Sequence, residues 1–254
     1  MRKCLIAGFG EVGGAHARVI ARVPSREVRA VDIMPEKVPE QFRLKDENYQ
    51  PDILLLAMRY QPDYVEIAKE LIEKYKPQMV CVLSTVPPGT CAKIGPFVSH
   101  STTRGLHPHL EEGLLNIVKH VGGSSAEAIG RFFEVAGIRC YTHKLAKTTE
   151  AAHILNNVAY GVNLMLADEM QKMCREWGVD YFQAVMGYTA TNNDGYIALD
   201  QASKARMILT PPNGRIGGHC LTHSAGLIDP EKRTPLMNML AEYGWKEIHR
   251  EKGV

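Results

Sequence analysis

A doubly wound α/β fold, a parallel sheet with helices on both faces, is what this sequence predicts, and three observations predict it. The first thirty-odd residues read as strand, glycine-rich turn, helix, strand and acid. The rest of the N-terminal half alternates short apolar runs with amphipathic helical stretches. From Thr148 the strand signals stop and helix formers dominate, so a long helix and a small helical C-terminal part should follow the sheet.

The opening unit carries the most chemistry. Cys4-Leu5-Ile6-Ala7 is a buried-strand candidate that leads into Gly8-Phe9-Gly10-Glu11-Val12-Gly13-Gly14 and a helical stretch over residues 15–23. A second apolar run, 28–31, ends on Asp32 and Ile33. G-x-G-x-x-G between a strand and a helix, with an acid about 20 residues on, is the fingerprint of a Rossmann dinucleotide site. Gly8 allows the tight turn, Gly10 admits a pyrophosphate to the backbone, and Gly13 lets the helix pack on the strand. The helix N-terminus offers free N–H groups and a positive dipole end to phosphates. Asp32 would accept the ribose hydroxyls and repel a 2′-phosphate, which predicts NAD over NADP. The rivals are a plain glycine-rich turn and another adenosyl ligand, S-adenosylmethionine, in a similar unit.

Further along, residues 52–57 read as a strand and 62–75 as a helix with Val65, Ala68, Leu71 and Ile72 on one face. Residues 79–83 form the next strand and run into Ser84-Thr85-Val86-Pro87-Pro88-Gly89-Thr90. Ligands of such sheets sit at the carboxyl ends of the strands, so Ser84 and Thr85 are candidates for contact with cofactor and substrate; a hydroxyl-rich turn stopped by prolines reads equally well. A short strand over 96–101 is followed by Arg104, His107, His109, Glu111 and Glu112 in one loop-like stretch. That density suits a substrate-binding loop carrying Arg104, His107 and His109, and it suits a solvated surface loop just as well. Strands over 117–122 and 138–142, around a helix over 125–136, would complete the sheet.

Residues 148–177 contain no proline and read as one long helix, which predicts a lobe connector or a homodimer interface. His153 and Asn157 share a face of it, with Glu150 one turn earlier. Residues 180–202 read as short helices interrupted at Thr191-Asn192-Asn193-Asp194-Gly195. They lead to a loop, Pro211-Pro212-Asn213-Gly214-Arg215-Ile216-Gly217-Gly218-His219-Cys220, and then to a final helix over 234–248. The boundary between a nucleotide-binding domain, 1–146, and a helical dimerisation or substrate region, 147–254, falls at the start of the long helix.

Composition narrows the function classes. A net charge of +2, with no basic run interleaved with aromatics, argues against a nucleic-acid partner. No apolar stretch suits a membrane span or signal peptide, so a cytoplasmic protein is expected. The six cysteines are scattered without C-x-x-C spacing, which predicts no metal site. Cys220 stands apart because its glycine-rich surroundings allow close approach by a ligand.

With these segments in order, the chain resembles the nucleotide-sugar 6-dehydrogenases, the superfamily of UDP-glucose, UDP-N-acetylmannosamine and GDP-mannose dehydrogenases. The resemblance rests on the glycine loop, the 84–90 segment, the helix from Glu150 to Glu169, and Gly217-Gly218-His219-Cys220. It implies two NAD-linked oxidations of a sugar alcohol, through an aldehyde and a thioester on the cysteine. Carried over residue by residue, Cys220 matches the nucleophile, Thr85 the active-site threonine, and Asn157 the asparagine that holds the oxyanion and water. Three positions depart: the family lysine is His153, the glutamate aligns near Pro108-His109, and the aspartate after the cysteine is Ser224. The chain ends soon after Cys220, so a form lacking the family's UDP-binding domain is expected, acting on a smaller polar or sugar-derived substrate. In this reading Cys220, Asn157, His153, Thr85 and His109 are catalytic, His153 or His109 is the general base, and Gly218 joins the substrate loop. The alternatives are a methyl transferase on the same scaffold and a non-catalytic NAD-binding relative.

Overall fold

The computed structural model of the chain describes residues 2–46, 48–106, 108–212 and 218–250, the side chains of residues 218–220, 222 and 243–250 excepted. It divides into two compact units, Met1–His153 and Ile154–Val254.

In the first unit the strands are β1 (Arg2–Ala7), β2 (Arg26–Val31), β3 (Ile53–Leu56), β4 (Met79–Val82), β5 (Val98–His100), β6 (Lys119–Gly122) and β7 (Cys140–His143). Among the described residues they form one sheet in the order β2-β1-β3-β4-β5-β6-β7. Ile53, Leu54, Leu55 and Leu56 are all inaccessible, as expected of a strand covered on both faces. One layer is built on α1 (Glu11–Ile20) and α5 (Ala126–Glu134), with Ala17, Ile20, Phe132 and Phe133 packed against Cys4, Ile6 and Cys81. The other uses α2 (Tyr64–Tyr75) and the short α3 (Thr90–Ile94), whose Tyr64, Ala68, Cys91 and Ile94 meet Leu54, Val80 and Val98.

The sheet is not wholly parallel. β6 pairs antiparallel with β5, His100 opposite Gly122, and β7 follows β6 in parallel. The cause lies in the connection. The segment after β5 holds only the short α4 (Leu110–Asn116), and both of its ends are tied together: Arg104 donates to the Val118 carbonyl, and Lys119 Nζ to the carbonyls of Ser101 and Thr102. The chain therefore re-enters the sheet from the end at which it left.

The long helix is α6 (Ala146–Trp177), continuous over 32 residues as its composition predicted. In the second unit its Ile154, Val158 and Met165 pack with Leu221 and Leu240. Leu221 lies on α8 (Gly218–Gly226) and Leu240 on α9 (Pro235–Arg250). A Cβ at Gly161 would come within 2.8 Å of Leu240, so α9 sits directly on the α6 backbone. Two expectations fail here. Thr191 to Gly195 do not interrupt a helix: a π-helical turn, Phe182–Gly187, runs into α7 (Tyr188–Ala198), which contains them. Asn193 spends its amide on the backbone of Arg206, accepting and donating at 2.8 Å, instead of competing for its own helix. The loop expected through Cys220 is also shorter, because Gly218 already opens α8, a helix end being a position that tolerates glycine.

Candidate functional site

The glycine loop leaves β1 as the spacing requires. Gly8 takes φ +95°, donates its N–H to Val31 at 2.8 Å, and would place a Cβ 2.7 Å from the Ala57 carbonyl oxygen. A Cβ at Gly13 would lie 1.9 Å from the Gly8 oxygen, a distance no side chain tolerates. A Cβ at Gly10 would meet nothing within 4 Å. Two glycines therefore serve packing, and the third keeps open the space in front of the N-terminus of α1. Phe9 is buried against Phe42, ring centres 5.6 Å apart, and Val12 packs on the same core. Glu11 is exposed in the first turn of α1.

At the end of β2, Asp32 Oδ2 accepts the Phe9 N–H at 2.6 Å and Oδ1 accepts the Met34 N–H at 2.9 Å. The acid thus ties the glycine loop to the following turn, and each oxygen keeps a lone pair for another donor. Ile33 beside it is 96% exposed, an apolar side chain presented to solvent at the rim of the loop.

At the end of β4 the two hydroxyls differ. Ser84 Oγ accepts from the Tyr64 phenol at 3.1 Å and lies against the carbonyls of Leu56 and Met58. Its side chain fastens the end of β3. Thr85 is half-buried at the tip. The segment is clamped from α6. Glu150, 1% exposed, accepts the Gly89 and Cys91 N–H groups at 2.5 and 2.8 Å, and buried His100 bridges the Ser84 carbonyl at 3.2 Å and Thr149 Oγ1 at 2.8 Å. Burial pushes the His100 pKa down to about 3, so the ring is neutral, donating from Nε2 to Ser84 and accepting at Nδ1. Position 85 is held by a bracket of His100, Thr149 and Glu150.

The loop after β5 is anchored as well. Arg104 is exposed and donates to Val118, while His109 is exposed at the start of α4 with Nδ1 3.9 Å from Glu112. Glu111 reaches Arg18 and Arg22 on α1 at 2.5 Å each, fixing α4 to the glycine-loop helix. His107 lies outside the described residues. Burial, then Lys119 and Arg104, push the pKa of His153, a candidate general base, down to about 4. A ring so reluctant to protonate is a poor general base at pH 7.

In the second unit Asn157 Nδ2 donates to Ser224 Oγ at 2.9 Å. Ser224 is buried on α8, one turn beyond position 220, so Asn157 is brought to the helix that carries Cys220. The side chain of Cys220 lies outside the described residues, as does that of Gly218's neighbour His219. The other cysteines are free thiols; burial pushes Cys4 and Cys91 far above the thiol range, Cys81 up to about 12 and Cys140 up to about 11. None of those four can supply a thiolate near neutrality. Among the described residues no group of three or more His, Cys, Asp or Glu side chains is placed to hold a metal ion, and no helix is long and apolar enough to cross a membrane.

Lys119 and His100 have no place among the residues that motif and spacing single out. Lys119 is 4% exposed at the start of β6, and alternation does carry a signal: it puts Lys119 on the same face as Val121, inward. His100 gives no such signal, because its partners Ser84 and Thr149 are distant in sequence.

No protein-family model matches the chain. Among curated proteins it is 24% identical over 280 aligned positions to the UDP-N-acetyl-D-mannosamine dehydrogenase of Methanocaldococcus jannaschii, covering 90% of this chain and 60% of that protein. The structure of the UDP-N-acetylmannosamine dehydrogenase from Pyrococcus horikoshii superimposes with a TM-score of 0.79 at 17% identity, over 99% of this chain and 70% of that one. In sequence and in fold the chain is similar to nucleotide-sugar dehydrogenases. It spans about 60% of the length of the Methanocaldococcus relative. A shorter fold neighbour, the 3-hydroxyisobutyrate dehydrogenase of Mycobacterium tuberculosis, matches with a TM-score of 0.70 at 13% identity over 97% of this chain and 93% of its own.

Proposed function

We propose that the chain is an NAD-linked oxidoreductase acting on a carbinol or its aldehyde. The observation that carries this reading is the cradle at Gly10: open space before the N-terminus of α1, closed behind by Gly8 and Gly13 and flanked by Asp32. Such a cradle fits a pyrophosphate, with the free lone pairs of Asp32 for ribose hydroxyls and exposed Ile33 for an adenine face. Glu11, Val12 and Phe9 complete the loop. When bound, NAD supplies the hydride acceptor.

The chain's own residues supply the rest. Thr85, held by the His100–Glu150 bracket, offers a hydroxyl where the reacting carbon would sit. His153, neutral, donates or accepts a hydrogen bond, which leaves His109 as the candidate base. Cys220 is the remaining candidate nucleophile. Its thiolate would add to an aldehyde carbon, the thiohemiacetal would give a hydride to a second NAD and its hydroxyl proton to the base to become a thioester, and water would release the acid and the thiol, with Asn157 orienting the water or the oxyanion. The substrate is a small polar or sugar-derived molecule. A second copy of the chain covers α6, a reading supported by the exposure of Leu155, Leu166, Met173 and Trp177 along it. A reducing compartment such as the cytoplasm suits the free thiols.

The test is ligand-induced stabilisation. NAD should raise the melting temperature of the native protein and NADP should do so less. A shift with S-adenosylmethionine and none with NAD would replace the reading with the transferase. Cys220→Ser should trap product at the aldehyde; an unchanged product and rate would exclude the covalent route.

A further inference from the structure

We propose that the protein carries a second ligand site at the end of the sheet opposite the glycine loop, in an open cavity surrounded by Arg2, Arg26 and Arg131. Its ligand is a small molecule bearing two or more negative charges. The site stands apart from the oxidoreductase reading and does not depend on it.

Strand register builds the site. Arg2 opens β1, Arg26 opens β2, and the two are paired in register, so their backbones lie about 5 Å apart. Alternation puts both side chains on the face of Cys4 and Val28, the face on which α5 packs through Phe132. Arg131 comes from the last turn of α5. The cavity between them has a volume of about 420 Å³, with Ser25 at its rim and Phe132 and Val135 as an apolar wall. Arg2 precedes Gly8 by six residues of extended chain, which separates this cavity from the glycine loop by roughly 20 Å.

Like charges directly opposite each other on a sheet repel, and little here offsets them. Among the described residues the three arginines form one ion pair, Arg131 with Glu127 at 3.8 Å, an exposed contact of small worth. Asp52, whose charge reaches Arg26, is taken up by the Lys3 N–H at 2.7 Å and the Gln78 amide at 3.2 Å. Glu27, next to Arg26 in sequence, turns to Arg29 at 3.5 Å. Arg26 lies over the Phe132 ring, 4.1 Å from its centre, and donates to the Phe132 carbonyl at 3.4 Å. Its Nε and Nη1 are enclosed with no acceptor, so the fold holds its charge in place without neutralising it. The C-terminal ends of α1 and α5 face this end of the sheet, but each carries only about half a negative charge against three full positive ones. The balance of roughly two positive charges selects a multivalent anion over a neutral or monovalent ligand. Arg26 acts through its field as the back wall. Arg2 and Arg131 are exposed, and their guanidinium forks can each grip two oxygens in parallel, with the Ser25 hydroxyl beside them.

Three probes test the site and separate the sources of the charge: pyrophosphate for a phosphate, citrate for a carboxylate, and inositol as the neutral control. Each is titrated by calorimetry into wild-type protein with saturating NAD at constant ionic strength. At least one anion should bind while inositol does not, and the tighter of the two identifies the source. Arg2→Met and Arg131→Met, both at exposed positions, should each weaken that anion about tenfold and leave NAD binding unchanged. Arg175→Met, which removes the same charge from the second unit, should leave the anion affinity as it is. No binding of either anion, equal binding of inositol, an affinity unmoved by Arg2→Met and Arg131→Met, or an equal loss in Arg175→Met would each overturn the proposal. An anion whose binding depends on Arg131 in a protein that does not bind NAD would sink the oxidoreductase reading alone.

Discussion

Gly10 and Gly13 differ in what a methyl group would meet, and that difference makes a prediction. Gly13→Ala drives a Cβ against the Gly8 oxygen and should destabilise the first unit by about 3 kcal/mol or more, seen as a lower denaturation midpoint. Gly10→Ala meets no protein atom and should leave stability within about 0.5 kcal/mol while abolishing the stabilisation by NAD. Lys119 gives a second residue-scale test. Burial lowers its pKa from 10.5 to about 8, so between those values the unfolded chain holds a proton that the folded chain has lost. Its contribution to stability therefore rises with pH across that window. Cys81 and Cys140, whose raised pKa values make stability fall above pH 9, oppose it, so the quantity to measure is the difference between wild type and Lys119→Met. Wild type should gain on the variant from pH 8 to 10.5. The glycine roles were legible in the sequence because each is set by backbone geometry within one turn. The commitment of Ser84 was not, because its partners Leu56, Met58 and Tyr64 come from other elements.

At the scale of elements, α6 does two things at its start. Thr149 and Glu150 close the bracket on the 84–90 segment, and Glu150 supplies the acceptor for the first N–H groups of α3. Glu150→Gln keeps the shape but leaves one acceptor for two N–H groups, so one bond becomes neutral and the other is replaced by facing donors, and it should cost about 1–3 kcal/mol in denaturant unfolding with slower turnover than wild type. If stability and turnover are both unchanged, the bracket does not position Thr85. The long helix was readable from thirty residues without proline. The reversal of β6 was not, because strand direction depends on the clamp by Arg104 and Lys119 and not on any pattern within the strand. The helical state of Thr191 to Gly195 was hidden for a similar reason: Asn193 finds its partner at Arg206.

For the whole molecule, neutral buried histidines set the acid limit. His16 and His100 are inaccessible and His153 half-buried, and all three are pushed below the usual imidazole value, His100 to about 3 and His153 to about 4. The unfolded chain protonates them near pH 6.5 while the folded chain does not, so stability should be full above pH 6.5 and fall as the pH drops toward 4. Thermal melts across that range check this, and a flat profile would contradict the burial of these rings. The α6 dimer belongs to the same scale: light scattering should give twice the chain mass, and a monomer would remove it. The central claim is that the Gly8–Asp32 unit holds NAD. It is tested most directly by calorimetric titration of NAD into the wild-type protein and into Gly10→Ala. The account predicts saturable one-site binding to the wild type and none to a variant that melts at the same temperature. Binding to both, or to neither, would contradict it.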